Sequence, residues 1–326
     1  MERENCKILK HYKDLAFMGF TEVLKHLPQI LKNFSTCKSQ ISSFKPDVVI
    51  LVDFPGFNLR MAKWLKENSY KVIYYISPQV WAWKESRVAS IKKYVDKMYV
   101  ILPFEKKFYA ERNLEVEYNG HPLIDEINKY QRKTDESKED DKVIAILPGS
   151  RKQEILKILP LMLKVCKYYP HLKFVVSAVP HIDLGLYTSF VTEKNISIQI
   201  GDVYSLLNKS YAAIVTSGTA TLETALFKVP EVVCFKGSAI SYWLAKRLIK
   251  VKFISLVNLI LDEKAIDELI QNDLNEENLR KAFEKLLNKE GREVIYEKYK
   301  CLISKLGVEG SSEKSAQSIV NYIYCS

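Results

Sequence analysis

Three short stretches carry residue types suited to chemistry. ILPGSRKQEI, residues 146–155, runs from apolar residues into Gly149 and Ser150, then into Arg151, Lys152 and Glu154. Such a segment is either a solvated strand-to-helix turn or a cradle for an anion, with Arg151 as its cation. TSGTATLETAL, residues 216–226, places Ser217, Gly218 and Thr219 where a strand gives way to a helix carrying Glu223. Successive backbone N–H groups at a helix N-terminus favour phosphate. A glutamate one turn in can accept hydrogen bonds from both hydroxyls of a ribose. The plainer reading is a small-residue turn with an exposed glutamate; the two turns taken together favour a nucleotide. LVDFPGFN, residues 51–58, sets Asp53 at a strand end ahead of Pro55, Gly56 and Asn58. Asp53 and Asn58 either stabilise the turn and the helix start, or Asp53 is a general base facing a cleft.

Other positions join these three. YYISPQVWAWKESRV, residues 74–88, brings Trp81 and Trp83 after Ser77, with Lys84 and Arg87 behind them. Tryptophans there either pack beneath the loop or wall a cavity. His121 follows Gly120 in YNGHPLID. It is either a hydrogen-bonded structural histidine or part of an interdomain lining. Asn258 closes the apolar run FISLVN, where a turn role is the simpler reading. No G-x-x-x-x-G-K-[ST] and no spaced G-x-G-x-x-G occurs, so P-loop and dinucleotide folds are unsupported. The six cysteines form no C-x-x-C pair, which gives no support to a zinc knuckle or a redox motif.

The elements that must position these residues are legible as well. Nearly continuous apolar runs occupy residues 45–53, 71–77, 97–103 and 114–120, and again 141–149, 172–179, 196–201, 212–218 and 231–237. Strands buried on both faces have that character. Helical patterns lie between them, which means βαβ units and parallel sheet. The polar stretch INKYQRKTDESKEDDK reads as a linker at 127–142, between an N-terminal half at 1–126 and a C-terminal half at 143–326. A helical tail is expected from about Asp262, with Glu268 and Gln271 on a helix. In open α/β sheets ligands sit outside the carboxyl ends of the strands, so a cleft between the two halves is the expected site.

Charge and surface point the same way. The net charge of +10 favours anionic partners: phosphates, phospholipid surfaces or nucleic acid. The early run LAFMGFTEVLKHLPQILKNF offers Phe20, Val23, Leu24, Leu27, Ile30 and Leu31, more apolar surface than one buried stripe needs. It is a helix packed on the sheet or a membrane contact. ISYWLAKRLIKVK, residues 240–252, is a basic amphipathic segment suited to a membrane surface or merely solvated. The N-terminus is too charged for a signal peptide. No stretch reaches the ~18 apolar residues of a membrane span.

LAFMGFTEVL, KPDVVILVDFPGFN, YYISPQVWAWKESRV, ILPFEKKFY, NGHPLID, LPGSRKQEI, TSGTATLETAL, YWLAKRLIKVKFISLVNLI and EGSSEKSA follow one another over nearly the whole chain. Together they resemble the lipid-A-disaccharide synthase family, in a wording similar to that of Bacteroidetes-type bacteria. The resemblance implies a GT-B glycosyltransferase: two Rossmann-like α/β domains facing across a cleft. It implies that UDP-2,3-diacylglucosamine is joined to 2,3-diacylglucosamine 1-phosphate through an inverting β-1,6 bond, with release of UDP. By position, Asp53 matches the family's general base and Arg151 its essential arginine. Ser150 and Glu154 flank that arginine. Ser217, Gly218, Thr219 and Glu223 match the nucleotide turn, and Asn258 a polar position near UDP. Asn58, Ser77, Trp81, Trp83 and His121 would line the acceptor side. No metal, cofactor or nucleic acid is implied. The implied setting is cytoplasmic, peripheral on the anionic inner membrane, with a homodimer allowed. Family members open with a strand and a G-E-x-S-G-D loop that this sequence lacks. The N-terminal domain is therefore expected to be short of its first strand or strands, at least one βα unit of about 30 residues. Two other readings fit the same residues: another GT-B enzyme on UDP-N-acetylglucosamine (an epimerase or soluble transferase), or a non-catalytic nucleotide binder.

Overall fold

The computed structural model describes residues 6–10, 27–133, 142–238 and 251–324. Each apolar run read as a strand forms one. The first half alternates α1 (Leu27–Phe44), β1 (Val48–Val52), α2 (Pro55–Glu67), β2 (Lys71–Tyr75), α3 (Arg87–Tyr94), β3 (Lys97–Val100), α4 (Pro103–Ala110), β4 (Glu117–Tyr118) and α5 (Pro122–Gln131). Helices α2, α4 and α5 each begin on proline, whose fixed φ and missing N–H suit the first helical position. The second half continues with β5 (Val143–Leu147), α6 (Lys152–Leu163), β6 (Lys173–Ala178), α7 (Leu184–Thr188), β7 (Ile196–Ile200), α8 (Val203–Lys209), β8 (Ser210–Thr216), α9 (Thr219–Leu226), β9 (Glu231–Phe235), α10 (Leu256–Leu261), β10 (Glu268–Ile270), α11 (Glu276–Leu287), α12 (Lys289–Leu306) and α13 (Ser311–Tyr324).

Two parallel sheets result, as the alternation predicts. The smaller has the order β1-β2-β3-β4 and the larger β10-β9-β8-β5-β6-β7. In the smaller, Val48 faces Lys71 and Val52 faces Tyr75. In the larger, Ile144 to Leu147 pair with Ala212 to Val215. Strand β5 is buried along its whole length, which is why VIAIL shows no polar alternation. The core of the larger sheet is built from such residues, with Phe174, Tyr187, Phe283 and Tyr299 among its largest buried side chains.

The chain divides into two compact units: Met1–Pro78 with Ala89–Met98, and Gln79–Val88 with Tyr99–Ser326. Within the second unit the C-terminal segment packs back onto the region of β4 and α5. Asp125 accepts from the Gly310 and Ser312 N–H groups at 2.7 and 2.8 Å and from Ser311 Oγ at 2.9 Å. These bonds hold its carboxyl below the usual range against the opposing effect of burial. Tyr118 Oη donates to the Leu306 carbonyl at 2.7 Å. The EGSSEK turn is thus a structural latch.

Two features differ from the sequence reading. Residues 127–131, within the polar stretch, form the end of α5, where Ile127 is buried beside Ile124 on one helix face. Residues 134–141 lie outside the described residues. Glu268 stands on strand β10, not on a helix, and the helical tail starts at Glu276. Three residues are too few to show a strand period, and the spacing of Ile266, Leu269 and Ile270 imitates a helical face.

Candidate functional site

Strand order places the strongest candidate. From β5 the chain moves outward to β6 and β7, then returns to β8 on the other side of β5. The ends of the strands where the order reverses are where open α/β sheets bind ligands. The two turns there are LPGSR after β5 and TSGT after β8. They adjoin: a Cβ built on Gly149 would lie 3.3 Å from Thr216 Cγ2.

Gly149 has φ +112, and the same Cβ would sit 2.7 Å from Glu154 Oε2. Glycine is therefore required for its backbone conformation, and a side chain there would also displace the Glu154 carboxylate. Arg151 precedes α6, and its Nη1 donates to Glu154 Oε1 at 2.6 Å. Glu154 thus folds over the turn and orients the arginine. A guanidinium has five N–H donors, so this pair leaves donors for an anion. Ser150 and Lys152 are exposed beside it.

On the neighbouring turn, Gly218 has φ +151, and the space where a Cβ would stand is open. Gly218 and Thr219 are exposed at the N-terminus of α9. Thr221 and Thr224 bond back to the carbonyls of Gly218 and Ala220 and take no part in the exposed surface. Glu223 is half-buried, and burial raises its carboxyl above the ordinary range. Tyr204 Oη donates to its Oε1 at 3.2 Å. Ser217 Oγ donates to the Ile254 carbonyl at 3.1 Å, tying this turn to the loop ahead of α10.

That loop is held by Glu268. Its carboxylate accepts from the N–H groups of Ile254 and Ser255 at 3.0 and 2.9 Å, from Ser255 Oγ at 2.7 Å and from Asn258 Nδ2 at 2.9 Å. Asn258 is fully buried on α10; its Nδ2 also reaches the Ile266 carbonyl, and its Oδ1 accepts from Ala265 and Ile266 N–H. Its amide is used within the protein, so its bearing on a ligand runs through the loop it fixes.

In the first unit, Asp53 and Phe54 leave β1 in consecutive left-handed conformations, φ 43 and 46. Non-glycine residues there cost of order 1–3 kcal/mol each and persist only when their surroundings hold them. The holding groups are present. The Asp53 carbonyl accepts from Asn58 Nδ2 at 2.7 Å and Tyr74 Oη at 2.6 Å, and its N–H donates to the Tyr75 carbonyl at 3.1 Å. Asn58 is buried and also donates to the Val52 carbonyl at 3.0 Å. Asn58 therefore serves the turn's backbone, while the Asp53 side chain stays exposed.

The remaining positions differ in burial. Ser77 is buried in the first unit. In the second, Trp81 Nε1 donates to the buried Glu105 at 3.2 Å, and its ring packs edge-on against Phe104. Trp83 is 42% exposed, with Lys84 and Arg87 over its ring. His121 is buried and caps α5, its Nδ1 accepting from Leu123 N–H at 3.2 Å, and burial pulls its pKa down to about 4. Leu27, Ile30 and Leu31, with Phe34, Phe57 and Trp64, line a groove of about 520 Å³ in the first unit. Phe20, Val23, Leu24 and most of the basic segment 240–252 lie outside the described residues. Among the described residues no group of three or more His, Cys, Asp or Glu side chains could hold a metal ion, and no helix is long and apolar enough to cross a membrane.

The arrangement in the second unit can hold a phosphorylated sugar: an oriented guanidinium, a glycine-opened helix N-terminus and a glutamate one turn in. Sequence reasoning missed Tyr204 and Tyr74, which support Glu223 and Asp53, and named Glu268, which supports Asn258, only as a helix residue; nothing in their local sequence announces these contacts. The family model for lipid-A-disaccharide synthetase matches residues 1–323. A lipid-A-disaccharide synthase from Syntrophus aciditrophicus is 37% identical over 93% of this chain and 82% of its own. One from Coxiella burnetii is 34% identical over 99% and 89%. Among solved structures, the UDP-GlcNAc 2-epimerase of Neisseria meningitidis superposes with TM-score 0.66 at 14% identity, over 94% of this chain and 83% of its own. A spinosyn rhamnosyltransferase gives 0.56 at 10%, over 89% and 77%. At those identities the likeness is one of fold.

Proposed function

Because the chain belongs to the lipid-A-disaccharide synthetase family, and is thereby a hexosyltransferase of lipid A biosynthesis acting on a UDP-sugar and a lipid-linked sugar phosphate, we propose which substrates it takes and which side chains do the work. The donor is UDP-2,3-diacylglucosamine and the acceptor 2,3-diacylglucosamine 1-phosphate. The acceptor 6-hydroxyl attacks the donor anomeric carbon from the face opposite the leaving group. A C–O bond forms as the bond to the diphosphate breaks, and UDP departs with the electron pair. Asp53 takes the hydroxyl proton. Arg151 holds the diphosphate, where a fixed cation stabilises the charge that develops on departure. Ser150 lies beside it and Glu154 aims it. Ser217, Gly218 and Thr219 receive phosphate at the α9 N-terminus, Glu223 accepts from the ribose hydroxyls, and Asn258 steadies the adjoining loop.

The observation that carries this reading is the pairing of the LPGSR and TSGT turns at the reversal point of the larger sheet. The strained, clamped Asp53 turn supports the base assignment, since such strain concentrates at functional positions. The apolar groove lined by Leu27, Ile30 and Leu31, together with the net charge of +10, supports work at an anionic membrane surface. A homodimer is compatible with it. Incubation with labelled donor and acceptor should yield disaccharide 1-phosphate and UDP in equal amounts. UDP release with no disaccharide, or turnover of UDP-N-acetylglucosamine in its place, removes the substrate assignment.

A further inference from the structure

Glu223 does not stand alone. Tyr204, in the first turn of α8, directs its hydroxyl at Glu223 Oε1, 3.2 Å away. The ring of Tyr204 is boxed by two others: Tyr130 from α5 at 5.5 Å between centroids, and Phe227 just beyond α9 at 5.3 Å. Tyr130 and Phe227 meet each other at 6.0 Å. Helix α8 is itself anchored, as Asp202 caps it by accepting from Ser205 N–H at 3.1 Å. A phenol gripped in this way has its hydroxyl fixed in space.

We propose that Tyr204 is the positioning residue for the ribose of the donor: it holds one oxygen of Glu223 so that the other is presented to the sugar hydroxyls. The inference rests on the assignment of Glu223 to the ribose. A carboxylate has about four lone-pair sites, so one donor from Tyr204 leaves capacity for a diol. Fixing the glutamate beforehand removes rotamer freedom that binding would otherwise have to freeze.

The electrostatics agree. Burial pushes the Glu223 carboxyl up, and the Tyr204 hydrogen bond pulls it back toward the ionised form that accepts from hydroxyls. Burial and then the charge of Glu223 raise Tyr204, as does Glu126 of α5, so the phenol remains a donor. Helix α10 and strands β8 and β9, with α12, also pack on α9; among them β9 carries the buried Glu231, which bonds to Tyr299 of α12. UDP binding should therefore weaken as pH falls through the Glu223 pKa, and removal of the hydroxyl should move that fall to higher pH.

The test compares UDP with 2′,3′-dideoxy-UDP by calorimetry on the full chain, on Tyr204→Phe and on Glu223→Gln. Phenylalanine keeps the ring box and loses only the hydroxyl. The wild type should prefer UDP. Tyr204→Phe should weaken UDP ten- to a hundredfold, leave the dideoxy compound unchanged and shift the low-pH edge upward. Equal weakening of both ligands with an unmoved edge makes Tyr204 merely structural and overturns the proposal. If Tyr204→Phe keeps the preference for UDP while Glu223→Gln loses it, the ribose assignment stands and the positioning role falls. If Glu223→Gln keeps the preference, the ribose assignment itself fails.

Discussion

The turn after β1 and the turn after β5 do the same mechanical job by opposite means. Each carries the chain from a strand end into a helix and presents a charged side chain there. After β5 the awkward backbone conformation falls on Gly149, and Glu154 fills the space a side chain would need. After β1 it falls on Asp53 and Phe54, and Asn58 and Tyr74 clamp the backbone to hold it. The glycine turn is unstrained and places Arg151, the cation proposed to hold the diphosphate, two positions later. The aspartate turn puts the proposed base, Asp53, on the strained position itself. A carboxylate held where glycine would be easier is in keeping with the role proposed for Asp53.

The comparison can be broken at several points. Asp53→Asn should cut kcat by roughly 10²–10⁴-fold with an unchanged denaturation midpoint, whereas Asp53→Gly should lose the same activity and gain ~1 kcal/mol of stability. Loss of stability on Asp53→Gly would remove the strain argument. Arg151→Ala should cost roughly 10²–10³-fold in kcat, and lysine should recover little of it because it cannot bind a diphosphate in a fork. Full activity in the lysine variant would show that only charge matters there.

A third turn, NGHP before α5, sharpens the contrast, for there glycine carries the turn at φ +105 and His121 caps the helix. With its pKa pulled from 6.5 down to about 4, His121 binds its proton in the unfolded chain before the folded one. Its contribution is full above pH 6.5 and is lost as pH falls through 4. It amounts to ~3 kcal/mol across that window. His121→Asn, which can still cap, should flatten this part of a stability–pH curve measured by urea titration. The smallest effects concern the clamps. Gly149→Ala and Asn58→Ala should each destabilise by ~2 kcal/mol. Gly149→Ala should also loosen the Arg151–Glu154 pair, visible as weaker UDP binding, while Asn58→Ala should leave UDP binding alone.

Much of this molecule was legible before folding was considered. The central parallel strands showed because both of their faces are buried, so VIAIL and EVVCF carry no polar alternation, whereas β1 and β7 keep exposed apolar residues that only their composition announced. The glycine turns showed because Gly and small residues punctuate apolar runs at strand ends. What did not show was pairing over distance. Asn258 looked like a turn residue because nothing in LVNLIL announces that its amide closes on residues 265, 266 and 268. Glu268 sat in a spacing that imitates a helix. Asn58 was legible as a residue that steadies its turn, and its amide does go to the backbone of Val52 and Asp53.

By itself the sequence determined the α/β class, the parallel pairing and the identity of the charged residues at strand ends. Those follow from burial periodicity and turn chemistry, which act over a few neighbouring residues. Only the tertiary structure decided that the LPGSR and TSGT turns are neighbours, because that depends on strand order and hence on which way the chain crosses the sheet. It also decided that Tyr130, Tyr204 and Phe227 form one box beside Glu223. Residues so far apart in the chain meet only through packing, and no local pattern records which rings will face each other.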